Sequence, residues 1–234
     1  MSNIADKIIE YLRKNRVSTT EVADCLGKSG VIENVQAVNR GHYVAAKVKW
    51  VYAHGESNWG VHEQICDLPE DYIVFVDVFE CKNRAILGEL VTKYILLYRG
   101  CKGLVVRGNV RDAAALIKEN YPVWCEGFNP VGCFNKQCDT DIDEKLKSEH
   151  KEKYDETIMV CDDCGVVLIP KERHTEEFYE KLENIEKQED IWFERLDYYK
   201  ENTFEIVCQK KYLQDDYYQK RLRENKECVV YQDF

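Results

Sequence analysis

Ile4, Ile8, Ile9 and Leu12 recur at the spacing of one helix face, so the chain opens on a predicted amphipathic helix. Ser18 with Glu21 three residues on is a capping-box pattern, and Gly27 is a natural stop, which predicts a short helix over 19–26. YVAAKVKWVY (43–52) is rich in β-formers and partly alternates, so it predicts a strand. YIVFVDVF (72–79) is a continuous apolar run of the kind found in central strands. A turn and then a helix follow over 86–100, closed by Gly100; a strand follows at 103–107, a helix at 111–120 and a strand at 121–127.

This strand–helix rhythm over 72–127 predicts a layered α/β structure with parallel pairing. The polar stretch 134–156 lacks apolar periodicity and reads as an exposed insertion or a loose helix, and 157–172 reads as a hairpin turning at DDCG. Phe178, Leu182, Ile185, Glu189, Trp192, Leu196 and Tyr199 then fall at alternating spacings of four and three, one helical seam with a glutamate in its middle. Two regions are expected: an α/β domain over 1–172, containing the 134–156 insertion, and a C-terminal helical arm and tail over 173–234.

Composition narrows the function. With 44% hydrophobic residues a core is available, while a net charge of −10 without any Lys/Arg-rich block argues against a nucleic-acid partner. No apolar run is long enough to span a bilayer and the N-terminus lacks a signal-peptide layout, so a soluble, cytoplasmic protein without a membrane partner is expected. The eleven cysteines, an odd number, then read as reduced thiols.

Arg111 and Asp112 stand at the mouth of a strand where a helix begins, the usual place for ligands in open α/β sheets. The structural alternative is an aspartate capping its own helix beside an arginine paired to a neighbouring acid. Gly88-Glu89-Leu90 repeats that position, with free backbone N–H groups for an anion, though Gly plus Glu at a helix start is common. Cys161-x-x-Cys164 with Cys133 and Cys138 has poor zinc spacing, and it falls on a turn rather than opening a helix. The five histidines read as surface or loop residues, with a cleft-lining place open to His54 and His62. Glu189 either pairs with a cation in a docked helix or is delivered by that helix into a site.

Taken in order, STTEVADCLG (18–27), ILGELVTKYILLYRGCKGLVVRGNVRDAAAL (86–116), YPVW (121–124) and CDDCGVVLIP (161–170) resemble the RraA-like family. That family holds the divalent-metal-dependent 4-hydroxy-4-methyl-2-oxoglutarate/4-carboxy-4-hydroxy-2-oxoadipate aldolases and the regulator of ribonuclease activity A. The resemblance covers about residues 15–195 and implies a swivelling β/β/α-type fold with a C-terminal helical extension. It implies Asp112 as direct ligand of Mg²⁺ or Mn²⁺, Arg111 on the keto acid, and Glu89 on metal-bound water. Gly88 and the backbone N–H groups of Leu90 and Val91 would hold the substrate carboxylate. Glu189 would reach the metal's waters from a neighbouring subunit, within a homotrimer or a dimer of trimers. The implied reaction cleaves a C–C bond next to an α-keto acid through a pyruvate enolate, as a class II aldolase or oxaloacetate decarboxylase does. Two other readings share the scaffold: a non-catalytic regulatory protein, and altered chemistry on a sugar-acid or nucleotide-linked substrate, with the tyrosine-rich tail walling the pocket.

Three departures from the family pattern carry expectations. Arg107-Gly108 stands where Asp-Gly is usual and predicts an added cation near the metal. FECKNR (79–84) replaces the usual glycines. Glu89 to Arg111 is about one residue long, which would turn a helix face by about 100° and calls for an adjustment in the loop near Gly100 or a displaced Glu89.

Overall fold

The structure, a computed structural model, describes residues 3–216 apart from 141, together with 218. Helix α1 (Ile4–Asn15) buries Ala5, Ile8, Ile9 and Leu12, the face marked by the apolar spacing. Helix α2 (Thr19–Cys25) carries the full reciprocal capping box of Ser18 and Glu21. Then come β1 (Gln36–Ala37), β2 (Val44–His54), α3 (Trp59–Gln64), β3 (Ile73–Phe79), β4 (Ala85–Leu87), α4 (Glu89–Lys93), β5 (Gly103–Val110), α5 (Ala113–Lys118), β6 (Val123–Phe128), α6 (Glu144–Tyr154), β7 (Ile158–Asp162), β8 (Gly165–Ile169) and α7 (Glu176–Asp197). Helix α6 occupies the second half of the polar stretch 134–156.

The strands form one mixed sheet in the order β1-β6-β5-β3-β2-β7-β8, with β4 also paired to β5. Strands β2, β3, β5 and β6 run parallel, and β2–β7, β7–β8 and β1–β6 are antiparallel. The sheet almost closes on itself. Just before β1, Val31 bridges Val167 of β8 and the Ile32 N–H bonds the Val166 carbonyl at 2.9 Å. Period-two alternation then gives every strand an inner and an outer face. Val48, Phe75, Val105, Trp124, Met159 and Val166 point inward and fill the barrel. Val51, Val74, Val76, Leu104 and Val106 point outward beneath α3, α4 and α5. Ala45, Ile158, Val160, Val167 and Ile169 face outward on the other side, beneath α1, α2 and α7. Burying one such aliphatic side chain contributes about 1.5–3 kcal/mol.

The DD pair of the hairpin is structural. Asp162 accepts from the Thr19 N–H at 2.8 Å and hydroxyl at 2.7 Å, and Asp163 accepts from the Gly41 N–H at 2.8 Å, so the turn is tied to α2 and to the entry of β2.

The seam of α7 differs in its second half from the expected one. Phe178, Leu182 and Ile185 are buried as expected, but the face then rolls to Gln188 and Ile191, leaving Glu189 half-buried and Leu196 and Tyr199 exposed. Past α7 the chain folds back, with Tyr212 and Tyr218 packed on Ile191 and the Trp192 indole donating to the Tyr212 hydroxyl at 3.1 Å. The remainder of the tyrosine-rich tail lies outside the described residues.

Candidate functional site

Strands β4 and β5 pair in parallel through Leu87 and Val110, and the Arg111 N–H bonds the Leu87 carbonyl at 3.0 Å, so both strands end at one edge. The chain turns there at Asp112, whose φ of 61° and ψ of 36° are left-handed, before α5 starts. Outside glycine that conformation costs about 1 kcal/mol, and aspartate is among the residues that tolerate it. Asp112 does not cap its own helix. Its Oδ2 accepts the Glu89 N–H at 3.0 Å, so it caps α4 instead. The Arg111 Nε lies 3.9 Å from that oxygen, beyond hydrogen-bond range, and the guanidinium is half exposed. Neither structural alternative therefore uses up the pair.

Glycines make the room. A Cβ on Gly88 would sit 2.1 Å from Asp112 Oδ2 and 2.8 Å from Arg111 Cγ, and one on Gly132 would sit 2.7 Å from Arg111 Nη1. Leu90 and Val91 line the same cleft of about 110 Å³, with Gly88, Arg111 and Asp112. The Glu89 side chain does not line it; the residue contributes its backbone N–H. A π turn over Tyr94–Tyr98, where the Arg99 N–H reaches back five residues to the Tyr94 carbonyl at 3.0 Å, takes in one residue more than an α turn, while the Glu89 side chain stands out of the cleft. The π turn leaves the α4 terminus in register with Asp112.

Sequence reading missed several cleft residues. Asn58, 8% exposed, donates to the Ile86 carbonyl at 3.2 Å while its Oδ1 is buried without a partner. His62, one turn on, lines the cleft as one of its two open alternatives had it. Cys133 also lines it, and a hydrogen bond with Cys81 together with burial pushes its thiol well up. Arg107 corrects an expectation: its guanidinium does not face this cleft but lies 3.6 Å from Asp77 at the barrel's open end. Glu189 is likewise not brought to the cleft within one chain. Burial, and then Glu21, Asp24, Asp190 and Glu186, raise its carboxyl above the ordinary range.

Among the described residues no three His, Cys, Asp or Glu side chains converge as a metal cage. Cys161 is buried inside the barrel and Cys164 is exposed on the turn, so they do not act as a pair. A hard divalent cation needs less, since Mg²⁺ is commonly held by one carboxylate with waters and substrate completing the shell. Asp112 fits that role: it is a hard oxygen donor, about half exposed, in a space that a Cβ on Gly88 would fill, and no described residue donates to its Oδ1.

The chain is 24% identical over 189 residues to protein DlpA of Legionella pneumophila, covering 74% of this chain but only 28% of that longer protein. It is 24% identical over 165 residues to a candidate 4-hydroxy-4-methyl-2-oxoglutarate aldolase of Halalkalibacterium halodurans, covering 70% of this chain and 78% of the relative. Its fold matches Streptomyces coelicolor RraAS2, described as an unusual member of the RNase ES inhibitor RraA protein family, with a TM-score of 0.61 at 19% identity over 79% of this chain and 94% of that one. The family profile described as Aldolase/RraA matches residues 19–168, well over half of the chain, and the chain belongs to the RraA-like family.

Proposed function

We propose that the chain is a divalent-metal-dependent carbon–carbon lyase acting on an α-keto acid that yields pyruvate, of the aldolase or oxaloacetate decarboxylase type. The observation that carries this reading is the Arg111–Asp112 pair at the start of α4, where Asp112 gives one oxygen to the Glu89 N–H and Arg111 stays beyond hydrogen-bond range of it. Asp112 would hold Mg²⁺ or Mn²⁺, which when bound supplies Lewis-acid stabilisation of the charge that develops on the keto oxygen. Arg111, permanently cationic, clamps the substrate carboxylate and keto oxygens in a fixed fork. The N–H groups of Leu90 and Val91 have no acceptor one turn back and complete the carboxylate's hold. Glu89 at the rim, and Glu189 from a second copy, take up and return the proton. Because Glu189 does not reach the cleft of its own chain, the reading requires copies to meet at the cleft, in a homotrimer or a dimer of trimers. Leu90, Leu97 and Tyr98, 80%, 60% and 73% exposed, give that meeting an apolar face beside the site.

The test is pyruvate release from oxaloacetate and from 4-hydroxy-4-methyl-2-oxoglutarate with Mg²⁺ or Mn²⁺. Release that stops with chelator, and falls about 100-fold or more in Arg111→Ala, is expected. An Asp112→Ala protein with full metal-dependent activity overturns the reading. Absence of turnover together with tight binding to a protein partner supports instead a non-catalytic regulatory protein, the reading that fits the name of the Streptomyces neighbour.

A further inference from the structure

The barrel has an open end, and its lining there is polar. Asp77 on β3, Arg107 on β5 and Glu126 on β6 continue the inward positions of Phe75, Val105 and Trp124, where the filled interior gives way to a cavity of about 380 Å³. None of its lining residues lines the Arg111–Asp112 cleft.

Asp77 is 1% exposed yet carries a carboxylate. Its Oδ2 is bonded by His150 Nδ1 at 2.5 Å and approached by the Trp50 indole at 3.5 Å, while Oδ1 takes the Val78 N–H at 3.2 Å and has Arg107 Nη1 at 3.6 Å. A carboxylate this buried is costly unless cations and donors surround it. It holds an imidazole and a guanidinium at the edge of one cavity. Neither is spent. Among the described residues nothing engages His150 Nε2, and Arg107, 44% exposed, sits too far from Asp77 for a closed hydrogen bond. Of the other rim charges, Lys82 and Arg84 hold Glu56 at 2.5 and 2.7 Å, and Glu80 lies 3.4 Å from His54. Glu126 is exposed at the lip. His150 arrives on α6, so the polar insertion completes this end of the barrel, its ring set edge-on to Phe79 at 4.9 Å.

We propose that the open end of the barrel is a second ligand site, taking the oxyanion of a small molecule between Arg107 and His150. The cavity suits a metabolite-sized ligand and the mouth of a barrel is a common place for one. The Arg107 guanidinium, and the His150 Nε2–H once the ring is protonated with its Nδ1–H held by Asp77, are donors for carboxylate or phosphate oxygens alike. The site stands apart from the proposed lyase chemistry and does not depend on it.

The experiment is ¹⁵N-histidine NMR of the full chain, with the His150 resonances identified by their loss in His150→Gln, titrated separately with malonate, inorganic phosphate and glucose 6-phosphate. A saturable displacement of the His150 Nε2 resonance is expected in wild type and equally in Arg111→Ala. Binding about tenfold or more weaker is expected in Arg107→Ala, with an intermediate loss in Arg107→Lys, which keeps the charge and loses the fork. Response to malonate alone identifies a carboxylate ligand; response to the two phosphates identifies a phosphate ester. If none of the three anions moves His150, or if Arg107→Ala and Arg107→Lys both bind as wild type does, the proposal is wrong.

Discussion

At the scale of single residues the cleft is a matter of absent side chains as much as present ones. Asp112 can turn left-handed and still cap α4 only because Gly88 leaves its carboxylate room. Gly88→Ala is therefore expected to displace Asp112 and lower metal-dependent turnover by about 100-fold while the protein stays folded, since the clash is with side chains at a cleft and not with the core. Comparing turnover with the far-UV spectrum and melting temperature checks this; unchanged turnover would show that the carboxylate has space to spare. Arg111, Asp112 and the Gly88 turn stood out in the sequence because a strand end, a turn and a helix start lie within a few residues of each other, whereas Val91 was named only through the family resemblance. Gly132 and Asn58 were not, because each comes from a loop or short helix far along the chain and meets Arg111 or Ile86 only after folding. His150 illustrates the same limit: its partner Asp77 lies 73 residues away.

At the scale of elements, long periodic segments were readable and short or irregular ones were not. The face of α1 follows from apolar spacing, α2 from its capping box, and β2 and β3 from a β-rich, partly alternating stretch and a continuous apolar run. Strand β4 has only three residues, all buried, and no period can be read from three positions. The π turn over Tyr94–Tyr98 was foreshadowed by a spacing one residue too long, though its place inside the helix was not. Helix α7 shows why its seam bends: Glu189 sits beside Glu21, Asp24, Glu186 and Asp190, and like charges favour leaving it half in solvent. Its carboxyl is raised in the folded chain, so the folded state holds that proton more tightly than the unfolded one. Stability from this group is present below the ordinary carboxyl range and is lost as pH rises through the raised value. Glu189→Gln is thus expected to raise the melting temperature at pH 7 by about a degree or two, with the gain vanishing near pH 4. Thermal melts of both proteins across that range check it; an equal gain at both pH values would assign it to packing.

At the scale of the molecule, Arg111 and Glu189 belong to different parts of the surface, the first at the edge of β4 and β5 and the second on the α2–α7 side. If the proposed assembly joins them between copies, two inactive proteins should repair each other. Arg111→Ala and Glu189→Ala, each with little turnover alone, are expected to regain about a quarter of wild-type activity when unfolded and refolded together, because mixed neighbours rebuild some intact sites. Activity no higher than the mean of the separate proteins would place all the machinery in one chain. The three apolar layers also set an order of events. Ile8, Ile9 and Leu12 of α1 share their core with Phe178, Leu182 and Ile185 of α7, and Lys7 reaches Glu176 at 2.6 Å. Helix α1 thus waits for α7, whose Glu176 lies 169 residues beyond Lys7. Until α7 docks, the part of the α1 stripe that meets Phe178, Leu182 and Ile185 lacks its cover, which makes that stripe a natural client of a chaperone.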